Sequence, residues 1–167
     1  ARNSNNKNCV ALTFDDGYRN NYRHAYPVLR KYNIPATIFV VYNFVENNAF
    51  AWWDKVGHCK LKVDASRLKK LGPEKIEEEV ERELKKQGIH PGEVPEEYAF
   101  MNWKEVNEIK DVFEIGAHTI NHPILTNIPL EEADKEIALS KSLIERKIRA
   151  KVESFAYPNG NRNARII

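Results

Sequence analysis

Short, largely apolar segments alternate with helical patterns along most of the chain, and this alternation limits the possible folds more than any other feature. Four segments are predicted to be strands, at residues 10–14, 36–41, 112–117 and 152–157. Strands that are apolar along their whole length are typical of a parallel sheet covered by helices on both faces. The sequence therefore predicts an α/β fold with a parallel sheet or barrel.

Helices are predicted between these strands from apolar residues spaced three and four apart. Tyr22, Tyr26 and Leu29 have this spacing, and Pro27 favours a regular helix that begins close to it, because proline is best tolerated in the first turn. A short helix is predicted around residues 103–109. A longer one is predicted after Pro129, with inward-facing Ala133, Ile137, Ile144 and Ile148.

Residues from about 43 to 102 break the alternation and are predicted to be a helical insertion after the second strand. An aromatic patch at residues 49–53 comes before a strongly charged helix, which is predicted to open at Gly72-Pro73 and to end at Gly88. Ile76, Val80 and Leu84 form one apolar stripe on this helix. Its many Glu and Lys residues are predicted to be a solvated face and not a binding site.

Composition and length exclude several classes of function. The 167 residues suffice for one domain, which we expect at 9–167 behind a disordered polar tail at 1–8 that does not resemble a signal peptide. The formal net charge is +2 with the two signs interleaved, so nucleic acid is not an expected partner. No run approaches the roughly 20 apolar residues of a transmembrane segment. Cys9, in a predicted strand, and Cys59 are expected to be plain thiols, although one disulfide is neither required nor excluded.

Three polar clusters follow predicted strands. Asp15 and Asp16 follow the first, His118 and His122 follow the third, and residues 157–160 end the fourth. In parallel α/β folds the carboxyl ends of the strands meet at one edge, where ligands bind. The sequence therefore predicts a functional site that combines these clusters.

The two histidines are candidate metal ligands. His118 and His122 are four residues apart, so both imidazoles can face one point, and with Asp16 they supply the three nitrogen and oxygen ligands of a catalytic zinc site. By itself, such a pair more often has capping or surface roles. Pro123 makes a long helix improbable here, so a single turn or loop is predicted.

Asp15-Asp16-Gly17 allows two interpretations. One is a turn in which an aspartate caps the next helix. The other is a division of roles, in which one carboxylate binds a metal and its neighbour takes a proton from water. These residues alone leave both interpretations open.

Three segments resemble, in order, the first motifs of the polysaccharide deacetylases, also called carbohydrate esterase family 4 or the NodB-homology domain. They are Thr-Phe-Asp-Asp-Gly at 13–17, His-Thr-Ile-Asn-His at 118–122 and Phe-Ala-Tyr-Pro-Asn-Gly at 155–160. Residues 26–29, 35–39 and 122–126 are similar to that family as well, and the resemblance extends from about residue 10 to 162. It implies a distorted (β/α) barrel with fewer units than a TIM barrel, incomplete in this chain.

The resemblance also implies roles for the matched residues. Asp15 would be the general base, and Asp16, His118 and His122 would bind a divalent metal, usually Zn²⁺ and sometimes Co²⁺ or another ion. Backbone N–H groups of the turn at 158–160, foremost that of Asn159, would hold the tetrahedral oxyanion.

Substrate contacts are expected from Tyr157, Pro158 and Trp53. Trp52 and Trp53 offer flat rings on which sugars can stack, although packing under the insertion is the favoured interpretation for both. Asp54 and His58 beside them are predicted to be surface residues.

The implied activity is hydrolysis of N-acetyl groups on N-acetylglucosamine units of peptidoglycan, chitin-like polymer or exopolysaccharide, with release of acetate. A cell-envelope or extracellular location would suit such substrates, but the sequence does not fix the compartment. Two alternatives stay open: hydrolysis of another amide or formyl group, and a catalytically silent carbohydrate-binding relative.

Two departures from the family pattern bear on these expectations. Glu153 stands where the third motif commonly has an arginine, and the later motifs, with the histidine that acts as general acid, are not found after Arg162. Four strands also cannot close a barrel. We therefore expect an incomplete record of a longer chain, or a chain completed by a partner such as a second copy.

Overall fold

The computed structural model describes residues 10–166, and its centre is a parallel sheet of three strands. The strands lie in the order β1, β2, β3, with bounds Thr13–Phe14, Ala36–Val40 and Phe113–Ala117. This confirms the predicted α/β class. The predicted tail at 1–8 and the predicted strand position of Cys9 lie outside the described residues.

The described part of the chain also has seven α-helices. They are α1 Tyr26–Lys31, α2 Tyr42–Asn47, α3 Trp52–His58, α4 Ala65–Leu68, α5 Pro73–Gln87, α6 Trp103–Glu108 and α7 Leu130–Ile148. The bounds predicted for α5 are confirmed: Pro73 occupies its first turn, and Gly88 ends it in the left-handed conformation that glycine tolerates best. None of these helices combines the length and the hydropathy that a membrane crossing requires.

The main apolar core lies between the sheet and helices α1, α6 and α7. Ile38 and Val40 of β2 are fully buried there, together with Val106 of α6 and Ile144 of α7. Burial of each such side chain contributes about 1.5–3 kcal/mol. The inward face of α7 differs from the prediction in one place, because Ile137 is only half-buried whereas Glu136 beside it is buried.

A second apolar cluster lies within the region predicted to be an insertion. It joins α5 to α3 and α4, and the predicted stripe of Ile76, Val80 and Leu84 is buried in it. Lys55 of α3 is buried as well, and its ammonium group pairs with Glu77 and Glu81 of α5. The helices between β2 and α6 thus have a core of their own, and the division into domain and insertion stays a prediction.

The predicted fourth strand, at residues 152–157, is wrong as a strand. The structure has a single parallel bridge there, between Phe155 and Ala117. Ala117 donates a backbone hydrogen bond to Ser154, and Ala156 donates one to Ala117, each 3.0 Å long. Pro158 follows immediately and has no N–H to extend the ladder.

The first strand is shorter than predicted, with two paired residues. It lies at the edge of the sheet, where Val10 is 90% and Leu12 is 38% exposed. A strand at the edge of a sheet forms hydrogen bonds on one side only. Fewer hydrogen bonds therefore keep its end paired.

Candidate metal centre

Asp16, His118 and His122 converge at the carboxyl edge of the sheet. The Oδ1 atom of Asp16 lies 3.4 Å from Nε2 of His118 and 3.3 Å from Nε2 of His122. One ligand atom from each residue lies within 4.8 Å of the others. The structure therefore brings together the three side chains that the sequence singled out as candidate metal ligands.

The turn after β1 fixes the position of Asp16. Asp16 has φ of 69° and Gly17 has φ of 86°, and a Cβ on Gly17 would lie 3.1 Å from Cγ1 of Val40. Glycine is therefore favoured at position 17 by its positive φ angle, and a side chain there would also press against Val40. The Gly17 carbonyl also accepts a backbone hydrogen bond of 3.0 Å from Met101, which ties the turn to the segment before α6.

A tight loop after β3 carries both histidines. His118 still belongs to the sheet edge, since its N–H donates to the Val40 carbonyl at 3.0 Å. Thr119 and His122 have positive φ angles of 69° and 59°, and the N–H of His122 donates to Thr119 Oγ1 at 2.9 Å. The prediction of a loop in place of a long helix is confirmed.

Glu136 of α7 holds this loop, and sequence reasoning missed it. Its carboxylate accepts hydrogen bonds from the backbone N–H groups of Ile120 and Asn121, at 2.7 and 3.0 Å, and from the Asn121 side chain at 2.7 Å. Glu136 is 9% exposed. One signal in the sequence could have revealed it. Glu136 lies on the same face of α7 as Ala133 and Ser140, and a carboxylate on a buried face needs hydrogen-bond donors.

The donor set fits a divalent cation. Nδ1 of His118 lies 2.8 Å from the Ala156 carbonyl, which can only accept, so Nδ1 carries the hydrogen and Nε2 presents its lone pair. Among the described residues, Asp16 Oδ1 and His122 Nδ1 are buried without a hydrogen-bond partner. A buried carboxylate oxygen without a donor is costly, and a cation bound beside His118 and His122 would satisfy it. One carboxylate and two imidazoles match the ligands that zinc prefers.

The electrostatics keep His122 in the form that binds metals. Burial lowers its pKa to about 4; the Asp16 carboxylate opposes this shift, while His118 and Lys69 add to it. His122 is therefore neutral at neutral pH. A neutral imidazole has the free lone pair that coordination needs.

A cleft of about 380 Å³ opens over the three candidate ligands. Asp15, which is exposed, lines it beside Asp16, and Asn159 lines it from the segment after the Phe155 bridge. Asn159 has φ of 54°, and its Oδ1 accepts a hydrogen bond of 3.2 Å from Lys69. The predicted base and the predicted oxyanion donor thus line the same cleft as the ligands.

Trp53 is one wall of this cleft. Its ring centroid lies 4.9 Å from that of His122, and its Nε1–H donates to the Tyr18 hydroxyl at 2.8 Å. That hydroxyl donates to Oδ2 of Asp54 at 2.6 Å. Trp53 therefore packs against neighbouring side chains, as the favoured interpretation predicted, and it also lines the cleft.

Asp54 corrects one expectation. It was predicted to be a surface residue, but it is half-buried beside Tyr18, and burial raises the pKa of its carboxyl. The reason is the contact between α3 and the segment after β1, which sequence periodicity does not reveal. His58 is exposed, as predicted.

Tyr157 and Pro158 do not line the cleft. Pro158 is buried, and the Tyr157 hydroxyl donates to the Ile166 carbonyl at 3.1 Å. Their role as substrate contacts stays a prediction. Lys69, which sequence analysis did not single out, lines the cleft instead.

Known proteins are similar to this chain over most of its length. The family model described as "Polysaccharide deacetylase" matches residues 2–167. YxkH of Bacillus subtilis, whose name assigns it to the polysaccharide deacetylases, is 28% identical over 155 residues, which cover 93% of this chain and 38% of YxkH.

Solved structures show the same fold at low identity. The deacetylase PplD of Streptococcus pyogenes, in complex with acetate, has a TM-score of 0.64 and 23% identity over 97% of this chain and 51% of its own. The BpsB deacetylase domain of Bordetella bronchiseptica has a TM-score of 0.61 and is 20% identical, over 93% of this chain and 57% of its own. The third structure is a mutant of a CE4 family pseudoenzyme from Bacillus anthracis and is described as having restored enzymatic activity. It has a TM-score of 0.59 and is 19% identical, over 96% of this chain and 40% of its own. The chain spans about half the length of these proteins. The similarity in fold, together with a sheet of three strands, confirms the prediction of an incomplete barrel.

Proposed function

The chain belongs to the polysaccharide deacetylase family, and on that premise we propose that it is a metal-dependent hydrolase that removes N-acetyl groups from N-acetylglucosamine units of a polysaccharide. Peptidoglycan, chitin-like polymers and exopolysaccharide carry such groups, and acetate is the product. The observation that carries the proposal is the convergence of Asp16, His118 and His122 around a buried carboxylate oxygen without a hydrogen-bond partner among residues 10–166.

These three residues would hold the cation, with zinc preferred over cobalt or another divalent ion. A bound cation supplies a Lewis acid for the amide carbonyl and lowers the pKa of the attacking water. The chain contributes the orientation of the ligands. The Ala156 carbonyl fixes the His118 ring, and Glu136 fixes the loop on which His122 lies.

Asp15 is proposed as the general base. Its carboxylate lines the cleft next to Asp16 and is solvent-exposed, so it is free to take a proton from the attacking water. The backbone N–H of Asn159 is proposed to donate to the oxyanion that develops on the carbonyl oxygen. Two adjacent aspartates would thus have different tasks, because successive side chains leave the turn in different directions.

A catalytically silent relative is the second candidate, because a protein of similar fold is described as a pseudoenzyme. The fold therefore does not separate the two candidates. Asp15 favours the enzyme, because a metal site that only binds sugar would need Asp16, His118 and His122 alone. Hydrolysis of another amide or a formyl group would use the same residues.

Acetate release from N-acetylglucosamine oligomers with Zn²⁺ or Co²⁺ tests the proposal. Asp15→Asn should keep its metal content and lose turnover by about a hundredfold or more, because a general base contributes about 10²–10⁴ to the rate. Asp134→Asn, the same change at an exposed position on α7, is the matched control and should keep the wild-type rate. An Asp15→Asn protein with an unchanged rate would contradict the assigned base.

A further inference from the structure

Lys69 brings a positive charge into the metal cleft from the helices of the predicted insertion. It directly follows α4, and among the described residues that line this cleft it is the one lysine or arginine. Asp15 and Asp16 line the same cleft. If Asp16 binds a cation, the cleft still contains a carboxylate that can take a proton and an ammonium group whose role the ligand set does not explain.

The backbone of Lys69 is held by hydrogen bonds at both its N–H and its carbonyl. The N–H donates to the Ala65 carbonyl at 3.0 Å, and the carbonyl accepts a hydrogen bond of 2.7 Å from the Asn127 side chain. Leu68, the preceding residue, is fully buried in the second apolar cluster. Because the main chain is fixed at these points, the exposed Lys69 side chain begins from a defined position beside the cleft.

The ammonium group of Lys69 contacts the turn that carries the proposed oxyanion donor. Its Nζ donates to Oδ1 of Asn159 at 3.2 Å, and the backbone N–H of the same asparagine is proposed to hold the oxyanion. An ammonium group has three N–H donors, so two remain for other partners. Within residues 10–166 this ammonium forms no ion pair with a carboxylate, unlike that of Lys55, which pairs with Glu77 and Glu81.

The proposed reaction creates negative charge at this end of the cleft. When the oxygen of the attacking water bonds to the amide carbon, the π electrons of the C=O bond move to the carbonyl oxygen, and the proton of the water passes to Asp15. The carbonyl oxygen is then an anion, whereas it is neutral in the bound substrate. A positive charge that is already in place stabilises this state more than it stabilises the substrate, and it therefore lowers the barrier.

We propose that Lys69 is a further catalytic residue, whose ammonium group stabilises the oxyanion beside the backbone N–H of Asn159. The inference rests on the proposed deacetylase function and adds to its catalytic groups a residue from the helices between β2 and α6. Lys69 lies outside the three segments that resemble family motifs. Its charge would act on the transition state and not on the binding of the substrate.

Kinetics of acetate release by the zinc-loaded protein test this inference. Lys69→Met removes the charge and should lower kcat by about tenfold to a hundredfold, less than an enclosed oxyanion donor contributes, because Lys69 is exposed. KM should change by less than about threefold, since the lost interaction forms only in the transition state. Lys69→Arg keeps the charge and should retain about a third or more of the wild-type kcat. Lys70→Met, at an exposed lysine that does not line the cleft, is the matched control and should keep the wild-type kcat.

A further variant separates the charge of Lys69 from its contact with Asn159. Asn159→Gly removes the side chain that accepts the Lys69 hydrogen bond, but it keeps the backbone N–H and suits the φ of 54°. Asn159→Gly should therefore lower kcat much less than Lys69→Met. Equal losses in these two variants, with no further loss in the double variant, would show that Lys69 only holds the turn and would overturn the inference.

The outcomes also separate this inference from the proposed function. Acetate release at equal rates by Lys69→Met and Lys70→Met would overturn the role of Lys69 and leave the deacetylase standing. No acetate from any oligomer would instead overturn the proposed function. Calorimetric binding of acetate to the zinc-loaded protein then decides whether Lys69 stabilises an anion in the metal cleft. An affinity about threefold to tenfold lower in Lys69→Met than in Lys70→Met supports this role, and equal affinity rejects it.

Discussion

At the scale of single residues, the candidate metal centre depends on side chains that bind no metal. Trp53 packs against His122, and the Tyr18 hydroxyl links the Trp53 indole to the Asp54 carboxylate. Tyr18 also stacks on Phe100, with ring centroids 4.5 Å apart. These contacts join the segment after β1 to helix α3 directly beside the ligands.

Tyr18→Phe should therefore destabilise the protein while it preserves the shape of the core. The change removes one hydroxyl and leaves the indole N–H and the Asp54 carboxylate without their partner, at a cost of about 1–3 kcal/mol. Urea unfolding would measure this loss in the free energy of unfolding. Tyr32→Phe, at a tyrosine that is 62% exposed, is the matched control, and an equal effect of both changes would contradict the role of the Tyr18 hydroxyl.

The low pKa of His122 predicts a pH dependence of the metal-free protein. Folding lowers this pKa from its ordinary value of 6.5 to about 4, so below pH 6.5 the unfolded chain binds the proton more tightly. The contribution of neutral His122 to the free energy of unfolding is fully present above pH 6.5 and is lost as the pH falls towards 4. The total loss is about 3 kcal/mol at most. Urea unfolding in a chelator between these pH values would measure it. His122→Gln should lack this part of the slope, whereas His24→Gln, at an exposed histidine, should keep it.

Single residues also show how far sequence alone can go. The candidate ligands could be predicted because Asp16 follows an apolar strand and because the segments at 13–17 and 118–122 resemble, in order, the motifs of one family. Tyr18, Asp54 and Lys69 could not. Tyr18 and Asp54 are 36 positions apart, and the contact arises only from how α3 packs, which no local pattern encodes.

At the scale of secondary-structure elements, α7 supports the histidine loop through one buried carboxylate. Glu136→Ala should lower the free energy of unfolding by about 2–4 kcal/mol, because two backbone N–H groups of the loop lose their acceptor. It should also weaken zinc binding by about 10- to 100-fold, the usual effect of losing a group that orients the ligands. A zinc titration of both Glu136→Ala and Glu132→Ala measures the effect on affinity. Glu132 is an exposed glutamate of the same helix, so Glu132→Ala should bind zinc like the wild type.

Elements differ in how well their sequences determine them. Helix α5 could be predicted to the residue because Pro73 and Gly88 mark its ends and an apolar stripe runs between them. The segment at 152–157 could not, since a short and partly apolar segment indicates an extended chain but not how many neighbours it pairs with. Its single bridge at Phe155 depends on tertiary contacts.

At the scale of the whole molecule, the candidate ligands connect the ends of two strands that are not neighbours, β1 and β3. An ion that binds only the folded state should therefore stabilise the entire sheet. At a hundredfold excess over Kd the gain is about 2.7 kcal/mol, which raises Tm by about 5–10 °C for a chain of this size. Thermal unfolding with and without Zn²⁺ would measure it. Asp16→Asn should show no zinc-dependent shift, and a shift of normal size in that variant would contradict the proposed ligand set.

The placement of β2 between the two ligand-bearing strands also has a consequence for biosynthesis. A growing polypeptide cannot assemble the three candidate ligands until residue 122 has been made and β2 has paired on both sides. Before then, Asp16 lacks both His118 and His122. The complete ligand set therefore arises together with the native order of the strands and not ahead of it.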